Sequence, residues 1–120
     1  MPTIHAKVTA TDSKGQLQLT IDKDPIMVPP DRKPHDIVFR LDDQTTNGPT
    51  VFDAGDPIFY ANGQACPNGG KNSDQLQVDS CSNDQLKLSD VNSKQAQIGY
   101  QLNFRYAGRR EQLDPMIING

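Results

Sequence analysis

The sequence predicts an all-β fold, an antiparallel Greek-key β-sandwich with seven to nine strands. Apolar side chains recur at every second position in many short segments, as they do in strands that bury one face. Of the fifteen acidic residues only Glu111 is a glutamate, and aspartate favours turns where glutamate favours helices. Nine glycines and nine prolines add to this bias against helix. Short strands at even spacing, joined by polar turns, are typical of such sandwiches.

Residues 3–22 are predicted to form a hairpin. Apolar residues alternate from Ile4 to Ala10 and again from Leu17 to Ile21. Between these runs, the segment Asp12-Ser13-Lys14-Gly15 has the composition of a tight turn. Residues Ile37 to Leu41 are apolar at nearly every position, which predicts a strand in the middle of a sheet.

Asp-Pro followed by apolar residues occurs at Pro25, Pro57 and Pro115. Proline has no amide hydrogen for a sheet ladder and is tolerated at the first position of a strand, so each Asp-Pro predicts a strand entrance. The segment Val28 to Pro34 holds three prolines and predicts an extended crossover from one sheet to the other.

The C-terminal half carries the strongest alternation. Leu76–Val78 and Leu86–Leu88 predict two short strands, and Ile98 to Tyr106 predict a long half-buried one. On that long strand, the even-numbered residues lie on the core side, and Gly99, Gln101, Asn103 and Arg105 lie on the other face. The segment Ala107-Gly108-Arg109-Arg110 joins it to residues 111–118 in a final hairpin.

The residues Tyr100-Gln101-Leu102-Asn103-Phe104, the turn at Gly108 and the ending Asp114-Pro115-Met116-Ile117-Ile118-Asn119 resemble small bacterial proteins of cupredoxin-like or immunoglobulin-like sandwich build. The resemblance covers roughly residues 35–120. Its motifs are structural, so it implies a fold and no activity.

Length and composition predict one domain, residues 1–120, with a thin core, since the mean hydropathy is −0.67. The net charge of −3 gives no general attraction to nucleic acid or to anionic membranes. Met1 leads directly into strand-like sequence without a signal segment, which predicts a cytoplasmic protein. Cys66 and Cys81 are a possible disulfide, and such a bridge would instead indicate a secreted protein.

Metal sites are the sharpest chemical alternative. A blue-copper site places a histidine after its cysteine, but His5 and His35 both precede Cys66 and Cys81, and both are predicted to be surface histidines. Calcium has hard oxygen ligands available in predicted turns, but none matches the EF-hand loop, and turn aspartates are expected to be solvated. These candidates are Asp42, Asp43, Asp53, Asp56, Asp84, Asp90 and Asn92. No catalytic motif and no cofactor is predicted.

Two segments are candidate binding surfaces. The glycine-rich stretch 62–73 is predicted to be a loop, and loops carry binding residues more often than strands do. Its candidate contact residues, together with the preceding aromatic residue, are Tyr60, Asn62, Gln64, Asn68 and Lys71. Arg105, Arg109 and Arg110 form a basic concentration at a hairpin tip, suited either to solvation or to an acidic partner.

The resulting prediction is a non-enzymatic binding or structural module that binds a protein partner or associates with itself. Self-association would make it a subunit of a homomeric assembly, and sandwich edges suit strand addition. The alternatives are a small calcium- or copper-binding protein and a secreted ligand-binding domain.

Overall fold

Eleven strands and no helix form the parts of the chain that the computed structural model describes, residues 2–60 and 75–120. The all-β prediction is confirmed, with more strands than the predicted seven to nine. None of the described residues belongs to a helix able to cross a membrane. The strands are β1 (Thr3–Ser13), β2 (Gln16–Ile21), β3 (Ile26–Val28), β4 (His35–Asp43), β5 (Thr50–Phe52), β6 (Ile58–Tyr60), β7 (Leu76–Cys81), β8 (Gln85–Asp90), β9 (Ala96–Tyr106), β10 (Arg109–Leu113) and β11 (Met116–Asn119).

The strands form two sheets that pack face to face. The first sheet has the order β2-β1-β4-β8-β7, so β4 lies in the centre, as its apolar sequence predicts. In the second sheet, β9 pairs with β5 and β6, with β10 and with β11, and β3 lies beyond β11. The two predicted hairpins, 3–22 and the C-terminal one, are both present.

The prediction of purely antiparallel pairing is wrong, because β1 pairs with β4 in parallel and β3 pairs with β11 in parallel. The chain leaves the first sheet after β2, contributes β3 to the second sheet and returns to the first through residues 29–34. A connection of this kind lets β4 run in the same direction as β1, which a tight turn cannot do. The same route confirms the predicted crossover.

β10 and β11 are two parts of one return arm of the final hairpin. Arg109 pairs with Tyr106 and Met116 pairs with Gly99, with no shift in register between these two pairs. Between the two strands, the Tyr100 amide donates to the Pro115 carbonyl at 3.1 Å. The arm is therefore interrupted only where Pro115 lacks an amide hydrogen. All three predicted Asp-Pro entrances are confirmed, since β3, β6 and β11 each begin at the residue after the proline.

The core lies between the two sheets and contains the even-numbered residues of β9, as predicted. Phe104 stacks on Phe52 with ring centroids 5.0 Å apart, and Tyr100 packs against Phe39 at 5.7 Å. The first pair joins the neighbouring strands β5 and β9, and the second pair joins the two sheets. Each adds a contribution beyond the area that it buries.

The other face of β9 is more buried than the alternation predicts. Gln101 and Asn103 are buried although they point away from the core. Residues 53–57 leave the sheet between β5 and β6 and cross over Asn103, which donates its side-chain amide to the Asp56 carbonyl at 2.8 Å. The description of β9 as half-buried is therefore wrong at these two residues. The segment 53–57 contacts Asn103, and Gln101 in turn donates to Asn103 Oδ1 at 2.7 Å.

Candidate functional site

β2 is an open edge of the first sheet. Among the described residues, no strand pairs with its outer side. Leu17, Leu19 and Ile21 contact the core, yet all three remain partly exposed. None of the six residues of β2 is charged and none is a proline. Charged residues, prolines and bulges are the devices that usually prevent an edge from pairing, and β2 has none of these three.

The hairpin that begins β2 determines which of its amides face outward. Lys14 and Gly15 have φ of 53° and 76°, as a two-residue turn requires, and Ser13 pairs with Gln16. Successive antiparallel pairs alternate between bonded and non-bonded, so Gln16, Gln18 and Thr20 bond to β1. The Asp22 amide follows the same alternation and donates to the Lys7 carbonyl at 3.1 Å. The amides of Leu17, Leu19 and Ile21 therefore point to the open side.

Two other edges carry protective features. β3 has three residues and lies between Pro25 and Pro29. β7 has a register irregularity between Val78 and Ser80, with the exposed Asp79 at that point. Proline and bulges with a charge both hinder the addition of another strand. β2 is thus a six-residue edge without the protection seen at β3 and β7.

A second feature is a pocket of about 400 Å³ on the outer face of the first sheet, over β1 and β4. This volume lies in the range of small-ligand pockets. The lining is strongly charged. Its charged residues and its histidine are His5, Lys7, Asp22, Lys23, Arg40, Asp42 and Asp84.

The cations of this pocket differ in how they are neutralised. Lys7 Nζ lies 3.5 Å from Asp42, and Lys23 Nζ lies 4.0 Å from Asp22 and donates to the His5 carbonyl. Arg40 is exposed, and no carboxylate of the described residues lies within ion-pair distance of it. Lys7 and Arg40 are direct neighbours in the parallel pairing of β1 with β4. Among the residues that the structure describes, Arg40 is thus a cation without a counter-ion, and it lies beside a second cation, Lys7.

The predicted basic concentration is largely paired within the chain. Arg110 donates from Nε and Nη2 to Asp53 Oδ2 at 3.0 and 2.6 Å, and Arg105 Nε lies 3.6 Å from the same oxygen. Arg109 donates to the Gly15 carbonyl at 2.9 Å and lies over the Tyr106 ring. The role of these arginines toward an acidic partner stays a prediction.

His35 is not a surface histidine, because only 3% of it is exposed. It begins β4 on the core side, like Ile37 and Phe39, and its Nε2 lies 3.2 Å from Asp31. The segment 29–34 is held at this end of the sandwich by Asn92 Nδ2, which donates to the Pro29 carbonyl at 2.8 Å and to the Lys33 carbonyl at 3.3 Å. His5, in contrast, is exposed as predicted.

Asp90 lies opposite His35 on β8 and is completely buried. Its Oδ1 accepts hydrogen bonds from the Asn92 amide at 2.9 Å and from Asn119 Nδ2 at 3.2 Å. Burial raises the pKa of this carboxyl. Three buried atoms, His35 Nδ1, Asp90 Oδ2 and Asn119 Oδ1, have no hydrogen-bond partner among the described residues. This polar cluster connects both sheets, and it is closed to solvent.

The candidate calcium ligands do not converge. Asp53, Asp90 and Asn92 are buried, so the expectation of solvated turn residues is wrong for these three. Asp43 accepts from the backbone amides of Thr45 and Thr50. In residues 2–60 and 75–120, no three His, Cys, Asp or Glu side chains lie together in a way that could hold a metal ion.

Cys81 ends β7 and is partly buried, with its Sγ 3.5 Å from the Ser82 carbonyl oxygen. Burial raises the pKa of its thiol, and the nearby Asp53 carboxylate adds to this effect. Its predicted partner Cys66 lies outside the described residues, as do Asn62, Gln64, Asn68 and Lys71. Tyr60 ends β6. The disulfide and the binding loop therefore stay predictions.

No model of a known protein family matches the chain, and no curated protein matches it either. The resemblance to cupredoxin-like or immunoglobulin-like proteins stays a prediction.

Sequence reasoning identified β2 as a strand but not as an open edge, and it did not single out Lys7 or Arg40. The available signal was the composition of β2, six residues without a charge or a proline beside a two-residue turn. No comparable signal marks the pocket, because Lys7 and Arg40 become neighbours only through the parallel pairing of β1 with β4.

Proposed function

We propose that this chain is a non-enzymatic structural module that associates with a second copy of itself through the open edge of β2. The observation that carries the proposal is the set of three outward amides, at Leu17, Leu19 and Ile21, on a strand whose apolar side chains are only partly covered. Strand addition to such an edge supplies main-chain hydrogen bonds and buries apolar surface together.

The sequence of β2 is compatible with pairing to itself. In an antiparallel arrangement with a two-fold axis at Leu19, Leu17 lies opposite the partner's Ile21 and Gln18 lies opposite the partner's Thr20. Residues on the core side then meet apolar residues, and residues on the outer face meet polar ones. The two first sheets become one continuous sheet of ten strands.

The absence of charge on β2 supports this pairing. Like charges directly opposite each other across two strands are destabilising, and a two-fold axis brings identical residues close to one another. Gln16 to Ile21 contribute no such repulsion.

Sedimentation velocity tests the proposal over concentrations from about 1 µM to about 1 mM, which span weak to moderate affinities. We expect the mass to rise from the monomer value of 13.2 kDa toward that of a dimer. The double variant Gln18→Lys with Thr20→Lys places ammonium groups opposite each other across the axis. Both side chains are exposed, so the variant is expected to fold normally and to remain monomeric.

The matched control is the double variant Gln77→Lys with Ser80→Lys, which adds the same charge to exposed positions on β7, the opposite edge. It is expected to dimerise like the unmodified chain. A chain that is monomeric at every concentration would overturn the proposal. The proposal would also be overturned if the β2 variant dimerised as strongly as the unmodified chain while both had the same melting temperature.

A further inference from the structure

The pocket on the outer face of the first sheet carries an unusual arrangement of charge. Lys7 on β1 and Arg40 on β4 are paired positions in the parallel register. Neighbouring strands lie about 4.8 Å apart, so two cations at paired positions repel each other unless an anion lies between them. Asp42 contacts Lys7 at 3.5 Å, and the same carboxylate also accepts from Gln44 at 2.7 Å. The repulsion is thus relieved on the side of Lys7 only.

Arg40 is the group that remains available. Its guanidinium is exposed, and no carboxylate of residues 2–60 and 75–120 lies within ion-pair distance of it. A guanidinium offers parallel donors whose spacing matches two oxygens of a carboxylate or a phosphate. An oxyanion in front of Arg40 would satisfy these donors.

The remaining lining supports an anion at this position. Lys23 is held in place, since it donates to the His5 carbonyl and lies 4.0 Å from Asp22. Asp22 in turn accepts from the Lys7 amide at 2.8 Å, which fixes the wall of the pocket beside β1. His5 is the outer-face residue two positions before Lys7 and adds a ring nitrogen to the same wall. On the β1 side, the lining thus contains Lys7, Lys23 and the His5 ring together with the Asp22 carboxylate.

We propose that this pocket binds a small ligand through an oxyanion group, a carboxylate or a phosphate, with Arg40 as the main contact and Lys7 and His5 beside it. The volume of about 400 Å³ fits a small metabolite rather than a polymer. Three carboxylates, those of Asp22, Asp42 and Asp84, also line the pocket. The proposal does not depend on self-association, because none of the pocket residues belongs to Gln16–Ile21.

Inorganic phosphate and succinate are the two probes. Each probe is titrated into the ¹⁵N-labelled full chain and replaces chloride in the buffer, so that the ionic strength stays constant. The NMR signals of the backbone amides and of the arginine Nε groups are followed. We expect saturable shifts confined to His5, Lys7, Arg40 and their neighbours for at least one probe. A response to phosphate alone indicates a phosphate group, and a response to succinate alone indicates a carboxylate.

Arg40→Gln is expected to weaken the binding of the responding probe about tenfold or more, the loss typical of a charge-assisted hydrogen bond. Arg40→Lys keeps the charge but loses the parallel donors. Its affinity for the probe is expected to lie between that of the unmodified chain and that of Arg40→Gln. Lys14→Gln removes the same charge at the hairpin turn, away from the pocket, and is expected to bind like the unmodified chain.

Three results would overturn the proposal. One is the absence of saturable shifts with both probes at concentrations up to about 20 mM, the upper end of weak specific binding. Another is equal affinity of Arg40→Gln and the unmodified chain. The third is an equal loss in Lys14→Gln, which would show that net charge alone attracts the anion. If Arg40→Gln fails to fold, the affinity of Lys7→Gln for the responding probe provides a second, independent test.

Discussion

The Arg110–Asp53 ion pair predicts a loss of stability when it is broken. Asp53 is buried, with 9% of its side chain exposed, and Arg110 Nε and Nη2 both donate to its Oδ2. The variant Arg110→Gln removes both charge-assisted hydrogen bonds. The remaining partners of the buried carboxylate, among the described residues, are then the Gly55 amide at 3.3 Å and Arg105 Nε at 3.6 Å. We therefore expect the variant to be less stable than the unmodified chain.

The expected loss follows from the exposure of the two partners. A hydrogen bond to a charged group contributes about 1.5–3 kcal/mol in a protein interior. The Arg110 side chain is 39% exposed, so solvent screening reduces its share. We expect the free energy of unfolding to fall by about 1–2 kcal/mol, which lowers the melting temperature by about 4–8 °C for a chain of this length.

Urea unfolding followed by far-ultraviolet circular dichroism measures this change, since the chain has no tryptophan. Arg109→Gln is the control, because Arg109 is exposed and does not contact Asp53. Double-mutant cycles with Asp53→Asn should give a clear coupling energy for Arg110 and none for Arg109. Equal losses in the two single variants, or a coupling energy near zero for Arg110, would refute this reasoning.

Two further predictions concern pH. Asp90→Asn is expected to stabilise the fold at pH 7, because burial raises the pKa of Asp90 and its charged form costs stability as the pH rises through that value. The advantage should shrink as the pH falls, in urea titrations at several pH values. Asp12 behaves oppositely, since hydrogen bonds from the Thr46 amide and the Tyr106 hydroxyl lower its pKa to about 2. The contribution of Asp12 to stability is present above pH 4 and is lost as the pH falls toward 2. Over that interval, the melting temperature of Asp12→Asn should therefore fall less than that of the unmodified chain.

Local features of the fold were predictable because each depends on a few neighbouring residues. The first hairpin follows from the turn at Lys14-Gly15, and the strand entrances follow from the missing amide hydrogen of proline. The core side of β9 follows from alternation alone. Each of these signals is complete within a short stretch of sequence.

The pairing of distant strands was not predictable in the same way. Nothing in the sequence of β1 or β4 distinguishes a parallel from an antiparallel neighbour, because alternation only assigns the face of each residue. The parallel pairing is decided by the route of the chain through β3. Since Lys7 and Arg40 meet only in this register, the charged pocket could not be found from the sequence either.

The buried polar cluster was within reach of sequence reasoning, although its partners were not. Asp90 continues the core-side alternation of Leu86 and Leu88, so its position alone indicated burial of a carboxyl group. A buried carboxyl needs hydrogen-bond donors, and these come from Asn92 and from Asn119 on the other sheet. The alternation therefore indicates that a polar core exists, and only the packing of the sheets shows which residues complete it.

The outer faces of the two sheets differ in a way that bears on recognition. In the second sheet, residues 53–57 cover Asn103. In the first sheet, His5, Lys7 and Arg40 are exposed in the middle of the face. Antiparallel pairing across β2 would extend this exposed face on both sides of the axis and leave the two pockets on the same surface. Dimerisation and anion binding are therefore compatible. Titration with a ligand that has two anionic groups would show whether binding to one copy changes the affinity of the other copy.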